Sequence, residues 1–115
     1  MTTRARRMTE AEWQRQVTDL AELLGWTWAH FRPARTEKGW RTPVEGPGGA
    51  GFPDLVLWRE RVIFAELKSD GGRVRPEQNA TLAALAHAGV EAQVWRPCDF
   101  SHVHETLTEY REPAE

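Results

Sequence analysis

Three ionisable residues stand inside an otherwise apolar run. Asp54 lies in Gly51-Phe52-Pro53-Asp54-Leu55-Val56-Leu57-Trp58, and Glu66 and Lys68 lie in Val62-Ile63-Phe64-Ala65-Glu66-Leu67-Lys68. The composition of both stretches suits β-strands, with a charged turn at Arg59-Glu60-Arg61 between them and Pro53 before the first, where no ladder donor is needed. Glu66 and Lys68 are two apart and share one face of their strand, while Leu67 points to the other. If the hairpin pairs antiparallel about residues 60 and 61, Asp54 and Glu66 come close at its open end. Two carboxylates and an ammonium on a mostly buried sheet are costly unless compensated. A divalent cation held by carboxylate oxygens would compensate them.

The spacing P-D-x(11)-E-x-K, here Pro53-Asp54 and Glu66-Leu67-Lys68, resembles the PD-(D/E)xK nuclease superfamily. Within it, Gly51-Phe52-Pro53-Asp54-Leu55, Ala65-Glu66-Leu67-Lys68 and the later Pro76-Glu77-Gln78 resemble the virus-type replication-repair nuclease family, VRR-NUC. The resemblance extends over about residues 9 to 96. It implies a restriction-endonuclease-like α/β fold with an αβββαβ core, a small mixed sheet flanked by helices. It also implies Mg²⁺ or Mn²⁺ on Asp54, Glu66 and the Leu67 carbonyl, with Lys68 orienting the attacking water or steadying charge on the phosphate.

The elements that must position these groups can be read in order. Residues 1–8, with Arg4, Arg6 and Arg7, form a basic arm ahead of a single domain over 9–115. Thr9-Glu10-Ala11-Glu12 fits a capping box, with Thr9 as N-cap and Glu12 as its acid. Trp13, Val17, Leu20, Ala21 and Leu24 then recur at helical spacing, and Gly25 ends the helix. Glu12 is thereby occupied. Glu10 lies on the side that packs on the sheet, with Gln14 one turn on, and two roles stay open for it. It either complements the helix dipole or, as the superfamily implies, adds to the metal site.

Trp26 to Phe31 reads as a first strand ended by His30, where a structural role competes with one towards substrate. Residues 32–50 form an irregular connection, long for a compact domain. Arg32, Arg35, Lys38 and Arg41 with Trp40 suit a loop that grips phosphate and stacks on a base; its glycines would give it freedom to move. Arg73 and Arg75 follow in the turn after Lys68. Pro76 opens a helix with Leu82, Leu85 and Ala86 as its apolar stripe and Gly89 as its stop. Gln78 falls on the core side of that helix, where the resemblance favours a part in the site. Val90 to Trp95 is a strand parallel to its neighbour, because a helix intervenes. A C-terminal helix from Ser101 to Tyr110 turns Val103, Leu107 and Tyr110 inward.

Composition sets the outer limits. The chain has 115 residues, 40% hydrophobic and 28% charged, with a formal net charge of −2. This is enough for one modest core, and no run resembles a membrane span or a signal segment. Residues 99–115 carry −4 and residues 1–98 carry +2, so overall charge weighs little against DNA. Cys98 has no cysteine partner and suits a reducing cytoplasm, that of a host if the source is viral. Its nearness to His102 and His104 does not match a zinc spacing. No phosphate-binding glycine loop follows a strand, so no nucleotide cofactor is expected.

The expectation is a Mg²⁺- or Mn²⁺-dependent endodeoxyribonuclease. The resemblance points to branched DNA, as for a Holliday-junction resolvase in DNA repair, and to a homodimer with two symmetry-related sites. The alternatives are a nicking or restriction-like nuclease on duplex or flap DNA, and a non-catalytic DNA-binding module.

Overall fold

A computed structural model describes residues 7–31, 34–36, 39–41 and 44–113, with the backbone alone for 34–36 and 39–41. Helix α1 runs Glu10–Leu23. Its capping box closes as the sequence requires: the Glu12 N–H donates to Thr9 Oγ1 at 3.1 Å and the Thr9 N–H to Glu12 Oε1 at 3.3 Å. Gly25 follows at φ +87°, a left-handed conformation that ends the helix and turns the chain into the sheet.

The main sheet comprises β1 (Thr27–His30), β4 (Leu55–Trp58), β5 (Val62–Leu67) and β6 (Glu91–Trp95), in the order β1-β4-β5-β6. Between β1 and β4 come β2 (Ala34–Thr36) and β3 (Gly39–Arg41), paired only with each other. The β1–β4 and β4–β5 ladders are antiparallel and β5–β6 is parallel, joined through α2 (Pro76–His87). Helix α3 (Phe100–Thr108) completes the order. The αβββαβ core, the mixed sheet and the C-terminal helix all stand as expected.

Pleating gives the sheet two unlike faces. Leu55, Leu57, Ile63, Ala65 and Leu67 are fully buried with Trp13, Val17 and Ala21 of α1, Trp95 of β6, and Val103 and Leu107 of α3. The buried indoles keep hydrogen bonds inside this core: Trp13 Nε1–H donates to Trp95 O at 2.9 Å and Trp26 Nε1–H to Leu107 O at 2.8 Å. The opposite face carries Val56, Phe64 and Glu66, and α2 supplies buried Gln78 and Leu82.

At the hairpin tip, Glu60 bonds Arg59, Arg61 and the Arg111 N–H. The Arg59 guanidinium is the main reason the Glu60 carboxyl lies far below the usual carboxylate range. Arg59 and Arg61 also donate to the Leu107, Thr106 and Glu109 carbonyls and lie over the Trp26 ring. The tip thus ties down the end of α3.

Several expectations are corrected. The connection after β1 is not wholly irregular, since it contains the β2–β3 hairpin and a 3-10 turn at Gly49–Gly51. Two glycines at its end sit against the chain's own backbone: a Cβ on Gly49 would stand 2.3 Å from Val44 O, and one on Gly51 2.2 Å from Glu77 O. Helix α3 stops at Thr108, leaving Tyr110 60% exposed outside it rather than facing the core. Ala86 is exposed, because α2 buries only Gln78 and Leu82.

Candidate active site

The β4–β5 register pairs Leu55 with Ala65, Val56 with Phe64 and Trp58 with Val62. One step further along the same register, Asp54 stands opposite Glu66, on the face away from the apolar core. The Leu67 N–H donates to Asp54 Oδ1 at 3.2 Å, which fixes the first carboxylate against the second strand. His30 Nε2 lies 3.5 Å from Asp54 Oδ2. His30 ends β1 opposite Leu55, the residue that follows Asp54 in the chain.

Glu66 is 3% exposed. Its two oxygens are treated differently. Oε2 accepts from Gln78 Nε2 at 3.0 Å and has Lys68 Nζ at 3.4 Å. Among the described residues Oε1 is buried without any partner. Burial first, and the nearby Asp54 charge second, push this carboxyl up to about 7 despite the attraction of Lys68.

Gln78 is held by its other end. Its Oε1 accepts from the Arg75 N–H at 2.9 Å at the start of α2, so Nε2 is the end left to donate to Glu66. Pro76 at the first helical position places it there, because the helix begins at a fixed point two residues earlier.

Asp54, His30, Glu66 and Gln78 share a cavity of about 370 Å³ with Glu10 and Gln14 of α1 and with Arg75; Lys68 is not among its lining residues. Glu10, and not Glu12, is the acid of the first helix that reaches it. Among the described residues no three acidic, His or Cys side chains gather closely enough to hold a metal by themselves. The donor set nevertheless fits a hard cation that keeps most of its waters. It offers two carboxylates on neighbouring strands, one with a buried and unsatisfied oxygen.

The basic residues divide. Arg75 lines the cavity, with Nη2–H donating to Ala50 O at 3.0 Å, and Arg73 is exposed in the preceding turn. Arg35, Trp40 and Arg41 fall on the β2–β3 hairpin, where only the backbone is described, while Arg32 and Lys38 lie outside the described residues. His102 bonds Gln93 and His104 packs on Phe100, so neither faces Cys98 in a ligand group.

Three participants escaped the sequence reading. Arg96 donates to the Ser69 and Gly72 carbonyls, both at 2.6 Å, and so braces the turn that follows Lys68. Its separation from that turn leaves no local signal. Phe31 and Phe52 line the cavity beside the acids. Phe52 stands two residues before Asp54, between the Gly49–Gly51 turn and the start of β4 at Leu55.

A mixed sheet with an acidic pair and a lysine at the open end of its central hairpin, and helices on both faces, defines a restriction-endonuclease-like nuclease core. The VRR-NUC domain family profile matches residues 6–97. A solved structure described as a VRR_NUC domain protein superposes with a TM-score of 0.64 at 26% identity, covering 91% of this chain and 89% of that one. A stretch of 48 residues is 42% identical to the Fanconi-associated nuclease 1 homolog of Caenorhabditis elegans. That match takes in 39% of this chain and 6% of the much longer relative. The chain belongs to the VRR-NUC family.

Proposed function

We propose that this nuclease domain is a divalent-metal-dependent, structure-specific DNA endonuclease that hydrolyses phosphodiester bonds of branched DNA as a homodimer. The observation that carries the metal reading is the asymmetry of Glu66: one oxygen has two donors and the other, buried, has none. Leaving such an oxygen unmatched is costly, and a cation beside Asp54 offsets that cost.

Asp54, Glu66 and the Leu67 carbonyl would hold Mg²⁺ or Mn²⁺, with Glu10 reaching the same cavity. When bound, the ion would supply Lewis-acid chemistry towards water and the phosphate. Gln78 and Lys68 orient Glu66 from one side. Lys68, whose ammonium is drawn to the site by Glu66, steadies charge on the phosphate or orients the water. Arg75 at the rim, with Arg73 and the β2–β3 hairpin, offers positive charge to the DNA backbone.

Two sites related by a dyad suit two strands of a four-way junction. The test is cleavage of labelled junction, flap and linear duplex with Mg²⁺, Mn²⁺ and chelator, alongside the protein's mass in solution. Junctions should be cut best, by a dimer, and only with metal. Glu66→Ala should bind junctions without cutting them. A monomer that nicks linear duplex as readily as a junction overturns the branched-DNA reading, and cleavage that survives Glu66→Ala overturns the site.

A further inference from the structure

The cavity beside the carboxylates is larger and less polar than a phosphodiester needs. Asp54, Glu66 and Glu10 occupy part of its wall. Much of the rest is Phe31, Phe52, Val44 and the backbone of the Gly49–Ala50 turn. Phe31 and Phe52 meet edge to face with ring centroids 5.7 Å apart, and Phe52 meets Phe64 in the same way at 5.6 Å. Both cavity phenylalanines are only half-buried, so each keeps ring surface open to a ligand.

This wall is already built. Phe31 N–H donates to Asp54 O at 2.8 Å, which fixes its backbone to the strand that carries the acid. Gly51 lies so close to α2 that no Cβ fits there, and Arg75 Nη2–H holds the Ala50 carbonyl. The aromatic wall and the acidic pair therefore sit on one rigid frame. A charged phosphate gains nothing from phenyl rings, whereas a nucleobase has an apolar π-face that does.

We propose that Phe31 and Phe52 form a base-binding subsite that takes one unstacked nucleobase next to the scissile phosphate. The inference deepens the nuclease reading and rests on it for the position of the phosphate. A base can enter only after leaving the duplex stack, and extrusion is cheapest at a branch point, a flap or a mismatch. The subsite thus makes local unpairing part of substrate choice, beside the carboxylates that would hold the cation.

The test has two arms. In the first, a short single-stranded oligonucleotide with one 2-aminopurine is titrated with chelator-treated protein. Its emission should fall as the base stacks, and Phe52→Leu or Phe31→Leu should weaken binding about 10-fold. In the second, once the cut is mapped, each flanking nucleotide is replaced in turn by an abasic analogue and cleaved by the unaltered protein. Loss of one base should slow cleavage about 10-fold, and Phe52→Leu should make that position indifferent to the loss. The second arm stands even where a phenylalanine variant fails to fold.

Efficient cutting with abasic sites tolerated at every flanking position, and unchanged aminopurine emission, overturns the subsite and leaves the nuclease reading intact. A fall in emission that depends on Phe52, without cleavage of any DNA, overturns the nuclease reading and leaves the base pocket. Neither signal overturns both.

Discussion

Gln78 Nε2 donates to Glu66 Oε2 at 3.0 Å, and the same amide accepts from the Arg75 N–H at 2.9 Å. One side chain therefore joins the start of a helix to a buried acid on the sheet. In the proposed mechanism Gln78 would act as a positioning residue, reaching the chemistry through Glu66.

Replacing Gln78 by Leu removes both bonds while filling similar space. The unmatched Arg75 N–H and Glu66 oxygen should cost about 1–3 kcal/mol of stability. Metal affinity should fall, because Glu66 loses the donor that fixes its orientation. Thermal unfolding and Mn²⁺ titration check this; a variant as stable and as tight for metal as the parent would remove Gln78 from the site.

Glu66 makes stability depend on pH in a defined direction. Its carboxyl is pushed up from 4.5 to about 7, chiefly by burial. The folded state thus binds its proton more tightly than the unfolded state does. Its favourable contribution is fully present below about 4.5 and is lost as pH rises through about 7. In chelator, Glu66→Gln should unfold at a higher temperature than the parent at pH 8, on the order of 5 °C for each kcal/mol recovered, with the two converging under acid conditions. Mg²⁺ should raise the parent's midpoint more at pH 8 than at pH 6, since the ion takes the deprotonated acid. Parallel pH profiles for parent and variant would contradict the assignment.

The two glutamates at the start of α1 should separate cleanly. Glu12→Gln weakens a capping box and should cost up to about 1 kcal/mol with cleavage retained. Glu10→Gln leaves the box intact and should lower cleavage by about 10-fold or more if the acid serves the site. Equal effects of the two on turnover would leave Glu10 with only a helix-dipole role.

Gly51→Ala tests the frame. The added methyl would meet Glu77 O at 2.2 Å and Thr81 Oγ1 at 2.7 Å, so the 3-10 turn and α2 must part. Destabilisation of about 1–3 kcal/mol follows from such overpacking. Gly48→Ala meets nothing within 4 Å and serves as the control. Equal denaturation midpoints for the two variants would show that the contact is loose.

Much of this was legible in the residues themselves. The capping pair Thr9 and Glu12, the stop at Gly25 and the start at Pro76 are local devices, and each stands where its chemistry demanded. The opposition of Asp54 and Glu66 followed from strand alternation and the length of the Arg59–Arg61 turn, both fixed within a single hairpin. The β2–β3 strands were not legible, because three-residue strands with Arg, Thr and Gly show no alternation of apolar and polar positions. Tyr110 continues the helical spacing of Val103 and Leu107. The helix ends before it, where Arg59 and Arg61 capture the Glu109 carbonyl and the backbone turns extended. That capture is made by residues some fifty positions away and leaves no trace near Tyr110. Arg96 escaped for the same reason.

The sheet separates two duties. One side is sealed by α1 and α3 around a largely apolar interior, and the other carries every acid of the cavity except Glu10. Because neighbouring residues of a strand look in opposite directions, Ala65 and Leu67 can be repacked without touching Glu66 directly. The pleat behaves as a partition wall: a variant library confined to the sealed side could tune how long the protein lasts, while one confined to the acidic side could retune which nucleic acid it accepts.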